Sequence, residues 1–374
     1  MILEQLHQHN NITIYTLNKI VLTQFKNYER ETLDFIPEFN VLTGKNGVGK
    51  TNVMDAIYYL CMSKSYFGHS DRQISKHGCD FFRLAGDFTQ GKKTLKIVAK
   101  VKNGSKKEFE KNGRKYDKLA DHIGLLPIVF ITPDDNSLVR DGSAERRKLL
   151  DNTLAQSDAG YLQHLIRYNK LLRQRNAALK KFAETRQVNH ALLDTYDQQM
   201  AAPAGEIFHF RKQMTSQLIP FFQEQYNEIS AQAETVGLSY KSALNDNDFP
   251  SLIRAAREKD IILQRTTAGI HKDDLVFTIG DYPIKQLASQ GQLKTYIIAI
   301  KLAQYQVLKS IKKYPPILLL DDIFDKLDNQ RVTALVQMLV KRDYGQIFIT
   351  DTEPGRIRNI IKEKNAMVRE IERV

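Results

Sequence analysis

A glycine-rich stretch near the start of the chain has the residue types and the spacing needed to hold phosphate groups. Residues 44–51 read GKNGVGKT and fit the pattern G-x-x-x-x-G-K-[S/T]. The glycines let backbone amides turn towards phosphates, Lys50 adds positive charge near the outer phosphates, and Thr51 can offer its hydroxyl to magnesium. Residues 39–42, FNVL, read as a short buried strand before the stretch, and helix-spaced apolar residues follow it. The sequence therefore predicts a nucleotide-binding strand–loop–helix unit rather than a glycine turn that binds nothing. The residues of this phosphate loop are Gly44, Lys45, Asn46, Gly47, Val48, Gly49, Lys50 and Thr51.

Two adjacent carboxylates in the segment YPPILLLDDIFDKLD complement the phosphate loop. Residues 317–320 are a continuous apolar run typical of a buried strand, and Asp321 and Asp322 follow directly. Carboxylates at the carboxyl end of such a strand face the crevice in which α/β folds bind ligands. We therefore predict Asp321 as a magnesium ligand and Asp322 as a catalytic residue that orients or deprotonates an attacking water. Lys50 is the second predicted catalytic residue, through its charge at the outer phosphates. The alternative is a simple turn at the end of a strand.

A third polar run, Ser289, Gln290, Gly291 and Gln292, stands before apolar residues that recur at helical spacing. It therefore occupies the first helical turn, where backbone N–H groups lack intrahelical partners. One interpretation is an ordinary helix cap, with Ser289 accepting from a backbone N–H and Gly291 easing the turn. The other is an anion-binding helix terminus.

The elements that must position these residues indicate an α/β fold with a helical insertion. We place the ATPase lobe at residues 1–120 and 262–374 and a mainly helical lobe at residues 121–261. In the insertion, Ser143 is a plausible N-cap, Asp158 opens a long helix, and a second helical stretch at residues 192–229 has a possible break at Pro203. The two stretches are predicted to form an antiparallel hairpin, and Arg167, Lys170, Arg175 and Lys181 to lie on its solvent face.

A lysine-rich segment at residues 91–118 is predicted to form a three-stranded meander. Asn103-Gly104 and Asn112-Gly113 are strong hairpin signals between alternating apolar residues. The lysines have two interpretations: a phosphate-binding face for DNA without base readout, or a solvated edge that prevents strand pairing. The predicted DNA-contacting lysines are Lys92, Lys93, Lys102, Lys106, Lys107 and Lys111.

Composition indicates a globular protein with affinity for polyanions. The 374 residues carry a formal net charge of +12 and are 42% hydrophobic. Cys61 and Cys79 offer neither a disulfide framework nor metal-ligand spacing. The first residues of the sequence show no signal-peptide pattern, and the apolar runs are too short to cross a bilayer. We therefore expect a cytoplasmic protein without membrane contact. His271 to Asp274 read HKDD, which we interpret as structural or nucleotide-adjacent rather than as a separate metal site.

Several motifs in one order resemble a known family. The segments LNKIVLTQFKNYERETLDF, AIYYLCMSKSYF, ITPDDNSLVRDGSAERRKLLDNTLAQ, GIHKDDLVFTIGDYPIKQLASQGQLKT and PILLLDDIFDKLD are similar to the RecF family of bacterial recombinational-repair proteins, within the SMC-like branch of ABC-type ATPases. The chain departs from that pattern at Gln24 and Lys26, which we read as surface polar positions, and at Phe67-Gly68, where Phe-Arg is usual. The segment near Thr350 offers no switch histidine of the kind found in transporter ATPases.

The resemblance implies an SMC-like ABC-type ATPase head with a mainly α-helical second lobe and no long coiled coil. It implies ATP and Mg²⁺ as cofactors and two protomers paired head to tail across two ATP molecules. The phosphate loop and the acidic pair come from one chain, while Ser289, Gly291 and Gln292 approach the γ-phosphate from the other. The resemblance also assigns Asp328, the last residue of DKLD, to the nucleotide site. Asp322 is one methylene shorter than the glutamate common in transporters, which we take to indicate slow hydrolysis.

The implied function is an ATP-controlled clamp on duplex DNA near single-strand gaps, which helps RecR and RecO direct RecA loading during repair, fork maintenance and the SOS response. Two other functions are alternatives to this one. In the nucleotide subunit of a membrane transporter, the phosphate loop and the signature motif, which corresponds to residues 289–292 here, lie only about a hundred residues apart, unlike in this chain. A DNA-binding module without hydrolysis does not need the full set of Lys50, Thr51, Asp321 and Asp322.

Overall fold

The computed structural model of the protein describes residues 14–231, 234–324, 327–342, 344–352 and 365–372. The segment before residue 14, and Asp325 and Lys326 of the DKLD stretch, lie outside the described residues. The strands are β1 (Tyr15–Phe25), β2 (Tyr28–Asp34), β3 (Phe39–Thr43), β4 (Phe81–Gln90), β5 (Lys93–Lys102), β6 (Glu108–Lys111), β7 (Arg114–Lys115), β8 (Ile128–Ile131), β9 (Val236–Lys241), β10 (Asp274–Ile279), β11 (Tyr282–Pro283), β12 (Ile317–Leu320), β13 (Ile347–Asp351) and β14 (Ala366–Glu370). The helices are α1 (Lys50–Met62), α2 (Asp71–Ile74), α3 (Ser137–Arg140), α4 (Ser143–Ser157), α5 (Ala159–Thr185), α6 (His190–Ser230), α7 (Phe249–Ala255), α8 (Arg257–Leu263), α9 (Ile284–Leu287), α10 (Gln290–Lys312) and α11 (Asn329–Lys341).

The chain divides into two units, each assembled from segments that are distant in sequence. Unit one comprises Met1–Asp135, Gln225–Ala231 and Gln290–Val374, and unit two comprises Asn136–Glu224 and Gln232–Ser289. These boundaries differ from those placed at residues 120 and 262. Residues 121–135 belong to unit one because β8 pairs with β12, and residues 262–289 belong to unit two because β10 pairs with β9.

A parallel sheet with the strand order β14-β3-β13-β12-β8 forms the centre of unit one. Successive side chains of its strands enter two different apolar cores. In β12, Ile317 and Leu319 pack in one core, and Leu318 and Leu320 pack in the other. Helix α1 covers the first core, and α10 and α11 cover the second. Because both faces of the sheet are buried, β12 reads as a continuous apolar run, and every residue of β3 is buried, including the polar Asn40 and Thr43. Both predicted strands are confirmed.

An antiparallel sheet with the order β2-β1-β4-β5-β6-β7 shares the first core with α1. Strands β5, β6 and β7 pair in chain order, so the predicted three-stranded meander is confirmed. Gly104 and Gly113 lie in its two turns with φ values of 77° and 79°, which an L side chain adopts only with strain.

The long helices of unit two follow the predicted pattern with two local corrections. The Asp158 side chain accepts a hydrogen bond from the Tyr161 N–H, which confirms Asp158 as the start of α5. Helix α6 runs through Pro203, so the break suggested there is wrong. Helix α4 begins at Ser143 rather than after it, and the Ser143 hydroxyl accepts from the Arg147 guanidinium at 2.6 Å instead of capping the helix.

Arg175 on α5, predicted to face solvent, is fully buried. Its guanidinium donates to Asp197 and Asp260, each at 2.7 Å, and to the Thr266 hydroxyl at 2.9 Å. Arg175 therefore belongs to the buried side of α5, together with aromatic and leucine side chains. The buried residues of α5 are Tyr161, Tyr168, Leu171, Arg175, Leu179 and Phe182.

Among the helices of the described ranges, none has the length and apolar character needed to cross a membrane.

Candidate functional site

The phosphate loop connects the carboxyl end of β3 to α1, which begins at Lys50. Gly47 has a φ of 80° with no atom within 4 Å of an added Cβ, so its conformation, rather than space, favours glycine. Gly49 has a φ of 115°, and a Cβ there would lie 2.6 Å from Asn27 Nδ2 and 2.7 Å from the Tyr28 hydroxyl. Glycine at position 49 is therefore required by both conformation and space.

Asn27 and Tyr28, at the β1–β2 turn, hold the phosphate loop in place. Asn27 Nδ2 donates to the Val48 carbonyl at 3.1 Å, and Tyr28 donates to the Gly49 carbonyl at 3.2 Å. The amide of Asn52, in the first turn of α1, donates to Asn27 Oδ1 at 2.6 Å. We assigned no role to Asn27 or Tyr28 from the sequence, in which the only signal was a polar residue at a short turn between two strands.

Lys50 folds back across the loop that precedes it. Its ammonium group donates to the Gly44 carbonyl at 2.8 Å and to the Lys45 carbonyl at 3.1 Å, and the residue is only 4% exposed. The positive charge therefore lies at the loop itself, where the pattern of residues 44–51 predicts the outer phosphates.

Thr51 and Asp321 lie next to each other, although 270 residues separate them in sequence. The Thr51 hydroxyl contacts the two carboxylate oxygens of Asp321 at 3.0 and 2.9 Å. Burial raises the pKa of Asp321 to about 6, against the opposing effect of hydrogen bonds from Thr350 and Thr51. A hydroxyl and a buried carboxylate are hard oxygen ligands, and a nearby cation favours the ionised carboxylate, so this pair fits Mg²⁺.

Asp322 adopts a left-handed backbone conformation with a φ of 45°, which is rare for a residue with a side chain. Its N–H donates to the Thr350 hydroxyl at 2.9 Å, and that hydroxyl donates to Asp321 Oδ1 at 2.7 Å. Thr350 reaches both residues because β13 lies between β3 and β12 in the sheet. No role for Thr350 was predicted from the sequence, in which the usable signal is a polar residue after the apolar residues of β13.

The polar run at residues 289–292 lies at the start of α10, whose first residue is Gln290. Gly291 lies inside the helix and outside the left-handed region of φ, so it does not ease a turn as the capping interpretation required. A Cβ on Gly291 would instead lie 2.5 Å from Nη1 of Arg331 on α11. Asp328 caps α11 by accepting from the Arg331 N–H at 2.9 Å, and its carboxylate lies 3.5 Å from the Arg331 guanidinium.

Comparisons with known proteins agree with this geometry. Residues 16–372 match the family described as the RecF/RecN/SMC N terminal domain. The DNA replication and repair protein RecF of Flavobacterium johnsoniae is 44% identical over 346 residues, covering 92% of this chain and 96% of that protein. The chain belongs to the RecF family. A solved structure of the recombination mediator protein RecF with ATP in the RecFOR pathway superposes with a TM-score of 0.86 at 27% identity, covering 93% of this chain and 95% of that one.

The Smc head domain of Pyrococcus furiosus shares the fold alone, with a TM-score of 0.54 at 15% identity and coverage of 96% of this chain and 94% of that one. The expected fold class is thus confirmed: this RecF-family chain is an α/β protein with an SMC-like ABC-type ATPase head and a mainly helical second lobe. The longest helix of the described residues, α6, has 41 residues, and no long coiled coil occurs within the described part of the chain.

One departure from the RecF pattern has a structural role that we did not expect. Lys26, predicted as a surface polar residue, forms an ion pair at 2.7 Å with Asp55 of α1, and its side chain is 11% exposed. Asp55 is fully buried and also accepts from the Ser65 hydroxyl at 2.7 Å and the Tyr66 N–H at 2.8 Å. Lys26 therefore compensates a buried charge behind the phosphate loop.

The six predicted DNA-contacting lysines do not form one face. Lys92 and Lys93 lie at one end of β5, while Lys102 and Lys106 lie at the other, roughly 30 Å away for a ten-residue strand. Lys107 differs from the others, because its side chain is only 23% exposed. It donates to the Ser63 carbonyl at 2.9 Å and pairs with Asp71 at 3.0 Å, and so it ties β6 to the end of α1. Lys111, at the β6–β7 turn, is exposed.

The HKDD segment forms part of the hydrogen-bonded interior of unit two. His271 Nδ1 lies 2.8 Å from the Tyr168 hydroxyl and Nε2 lies 3.1 Å from the Thr266 carbonyl, and burial lowers its pKa to about 4. Asp273 accepts from the Arg211 guanidinium at 3.1 Å. Within the described residues, no group of three or more His, Cys, Asp or Glu side chains is arranged to hold a metal ion.

Proposed function

We propose that this chain is an ATP-dependent DNA-binding clamp of recombinational repair and replication-fork maintenance. It binds ATP with Mg²⁺, dimerises on ATP, and hydrolyses ATP slowly when DNA stimulates it. The proposal rests on the contact between Thr51 and Asp321 beside the phosphate loop. This contact brings the phosphate loop and the acidic pair, which are distant in sequence, together as a nucleotide site requires.

The side chains of the site have distinct tasks in this proposal. Lys50 and the loop amides bind the outer phosphates, and Thr51 and Asp321 hold Mg²⁺. When bound, Mg²⁺ supplies positive charge that offsets the negative charge of the phosphate oxygens. Asp322, half-buried at the end of β12, orients the attacking water or accepts its proton.

The second half of each site is supplied by another copy of the chain. Ser289, Gly291 and Gln292 lie in or next to the first turn of α10, whose backbone amides carry partial positive charge. Paired head to tail, the α10 terminus of one protomer approaches the γ-phosphate held by the other. Hydrolysis removes that phosphate from the contact, and the dimer weakens.

Sedimentation tests this proposal directly. We expect dimers with ATP, monomers with ADP or without nucleotide, and a larger dimer fraction on gapped duplex DNA. Lys50→Ala and Ser289→Arg are each expected to remain monomeric with ATP. Normal ATP-dependent dimers of either variant would contradict the composite site.

For DNA contact we favour the end of β5 that carries Lys102 and Lys106. A cleft of about 730 Å³ lies beside the turn that follows Lys102, and its lining includes Arg72, Lys76 and Asn103. Positive charge from the sheet end and the cleft therefore coincides there, which suits a phosphate backbone.

Two double variants with equal charge change distinguish the ends of β5. Lys102→Glu with Lys106→Glu is expected to flatten the plot of log affinity for duplex DNA against log salt concentration by about 2 units of slope. Lys92→Glu with Lys93→Glu is the matched control, and we expect its slope to stay close to that of the parent protein. The reverse result would move the contact to the other end of the strand.

In the cell, the clamp is proposed to act in the cytoplasm on duplex DNA near single-strand gaps, with RecR and RecO, to direct RecA loading and so support the SOS response. RecA-filament assembly on gapped DNA, with and without the clamp, checks this step. A rate of assembly that does not depend on the clamp would refute it.

A further inference from the structure

We infer that Thr350 is a positioning residue of the nucleotide site, whose single hydroxyl fixes both the carboxylate of Asp321 and the backbone of Asp322. This inference rests on the proposed function and adds to it a residue outside the recognised motifs. The Thr350 side chain contacts neither a phosphate nor a water in this role; it acts through the two aspartates.

The hydroxyl has the hydrogen-bonding capacity that this task requires. A hydroxyl donates one hydrogen bond and accepts others. Thr350 donates to Asp321 Oδ1 at 2.7 Å and accepts from the Asp322 N–H at 2.9 Å. The residue is fully buried, so no water replaces either partner at low cost.

The contact with Asp322 compensates an unfavourable backbone conformation. With a φ of 45°, Asp322 lies in the left-handed region, which surrounding interactions must maintain. The N–H of Asp322 points to Thr350 in this conformation. Without that acceptor, an extended or right-handed conformation becomes more favourable, and the Asp322 carboxylate leaves its place beside Asp321.

The contact with Asp321 sets the direction of its carboxylate. Thr51 contacts both carboxylate oxygens, whereas Thr350 contacts only Oδ1. Together the two hydroxyls fix the plane of the carboxylate. The two hydroxyls come from different elements, since Thr350 is the penultimate residue of β13 and Thr51 lies in the first turn of α1, after the loop that follows β3. The orientation therefore depends on the order of three adjacent strands.

Thr350→Val tests the inference, because valine keeps the shape and removes the hydroxyl, and Thr350→Ser is the matched control that keeps it. Without nucleotide, we expect faster hydrogen exchange of the peptide containing Asp322 in Thr350→Val and parental exchange in Thr350→Ser.

With a fluorescent non-hydrolysable ATP analogue, we expect Thr350→Val to need roughly tenfold more Mg²⁺ for half-maximal binding, while binding without Mg²⁺ is unchanged. Single-turnover ATP hydrolysis is expected to fall by roughly ten- to a hundredfold, and Thr350→Ser to stay within about twofold of the parent.

Parental exchange, Mg²⁺ dependence and turnover in Thr350→Val would overturn the inference. Equal defects in Thr350→Val and Thr350→Ser would also overturn it, because the methyl group and not the hydroxyl would then matter. Should Thr350→Val not fold, Thr350→Cys takes its place with the same expectations, since a thiol is a weak hydrogen-bonding group. If the parent protein itself fails to bind the analogue, the proposed function fails, whereas a normal parent with an unaffected valine variant refutes the role of Thr350 alone.

Discussion

Replacing Gly291 by alanine separates a structural role of the polar run from a role in dimer formation. The added Cβ would lie 2.5 Å from Arg331 Nη1, so the guanidinium must move. Its ion pair with Asp328 is a surface contact at 3.5 Å, with Asp328 55% exposed, and such pairs contribute about 0–1 kcal/mol. Alanine in a helix is favoured over glycine by up to about 1 kcal/mol.

These two effects oppose each other, so the free energy of unfolding of Gly291→Ala should stay within about 1 kcal/mol of the parent value. The melting temperature should shift by no more than about 2–4 °C. The expected effect on the proposed ATP-dependent dimer is much larger. If the methyl group and the displaced Arg331 keep the α10 terminus from the γ-phosphate, each site loses a charged hydrogen bond of about 1.5 kcal/mol. Two sites per dimer together lose about 3 kcal/mol, which weakens dimerisation on the order of a hundredfold.

Sedimentation equilibrium with a non-hydrolysable ATP analogue measures this loss, and thermal unfolding of the monomer without nucleotide supplies the control. The double variant Gly291→Ala with Arg331→Ala removes the clash and should recover part of the lost affinity. A Gly291→Ala protein that dimerises like its parent would refute the reasoning and return residues 289–292 to the ordinary role of a helix start.

Three further outcomes follow from buried charges. Burial lowers the pKa of His122 from an ordinary value of 6.5 to about 4, so the unfolded chain binds more protons than the folded chain between these values. The free energy of unfolding therefore falls by up to about 3 kcal/mol as the pH falls from about 6.5 to 4. His122→Gln should flatten this dependence in urea titrations. Arg175→Met should lower the free energy of unfolding by about 3–5 kcal/mol, because it leaves Asp260 charged and buried. Lys170→Met, on the exposed face of the same helix, is the control and should change the free energy of unfolding by less than about 0.5 kcal/mol in the same denaturant titration. Burial raises the pKa of Asp321 from 3.8 to about 6, so the folded chain binds more protons between these values and stability is lost as the pH rises from about 3.8 to 6. The loss is complete at pH 7, so Asp321→Asn should raise stability there by up to about 3 kcal/mol while abolishing Mg²⁺-dependent phosphate release. A variant that loses both stability and activity would contradict this assignment.

The local parts of the nucleotide site could be predicted from the sequence because their geometry follows from adjacent residues. The phosphate loop needs glycines at fixed positions, and β12 needs an apolar residue at every position because both of its faces are buried. Thr350 and Asn27 could not be found in the same way. Their roles come from strands placed side by side by pairing between distant segments, and no local pattern encodes that order.

Errors about charged side chains have a common physical origin. Arg175 and Lys26 were assigned to the surface because charge usually lies there, but each compensates a buried aspartate that the sequence does not mark as buried. The lysines of β5 were treated as one cluster because they are close in sequence. An extended strand instead separates Lys93 from Lys102 by nearly its whole length.

The position of β3 in its sheet has a consequence for how the protein is made on the ribosome. Strand β3, which carries the phosphate loop, pairs with β13 on one side and β14 on the other, and both of these strands are synthesised long after β3. Until residue 351 emerges, the nascent chain holds β3 without either of its neighbours, although both faces of this strand are buried in the folded protein. A chain stalled between residues 351 and 366 would have β3 paired on one side only, and we expect its open edge to be exposed to pairing with other chains.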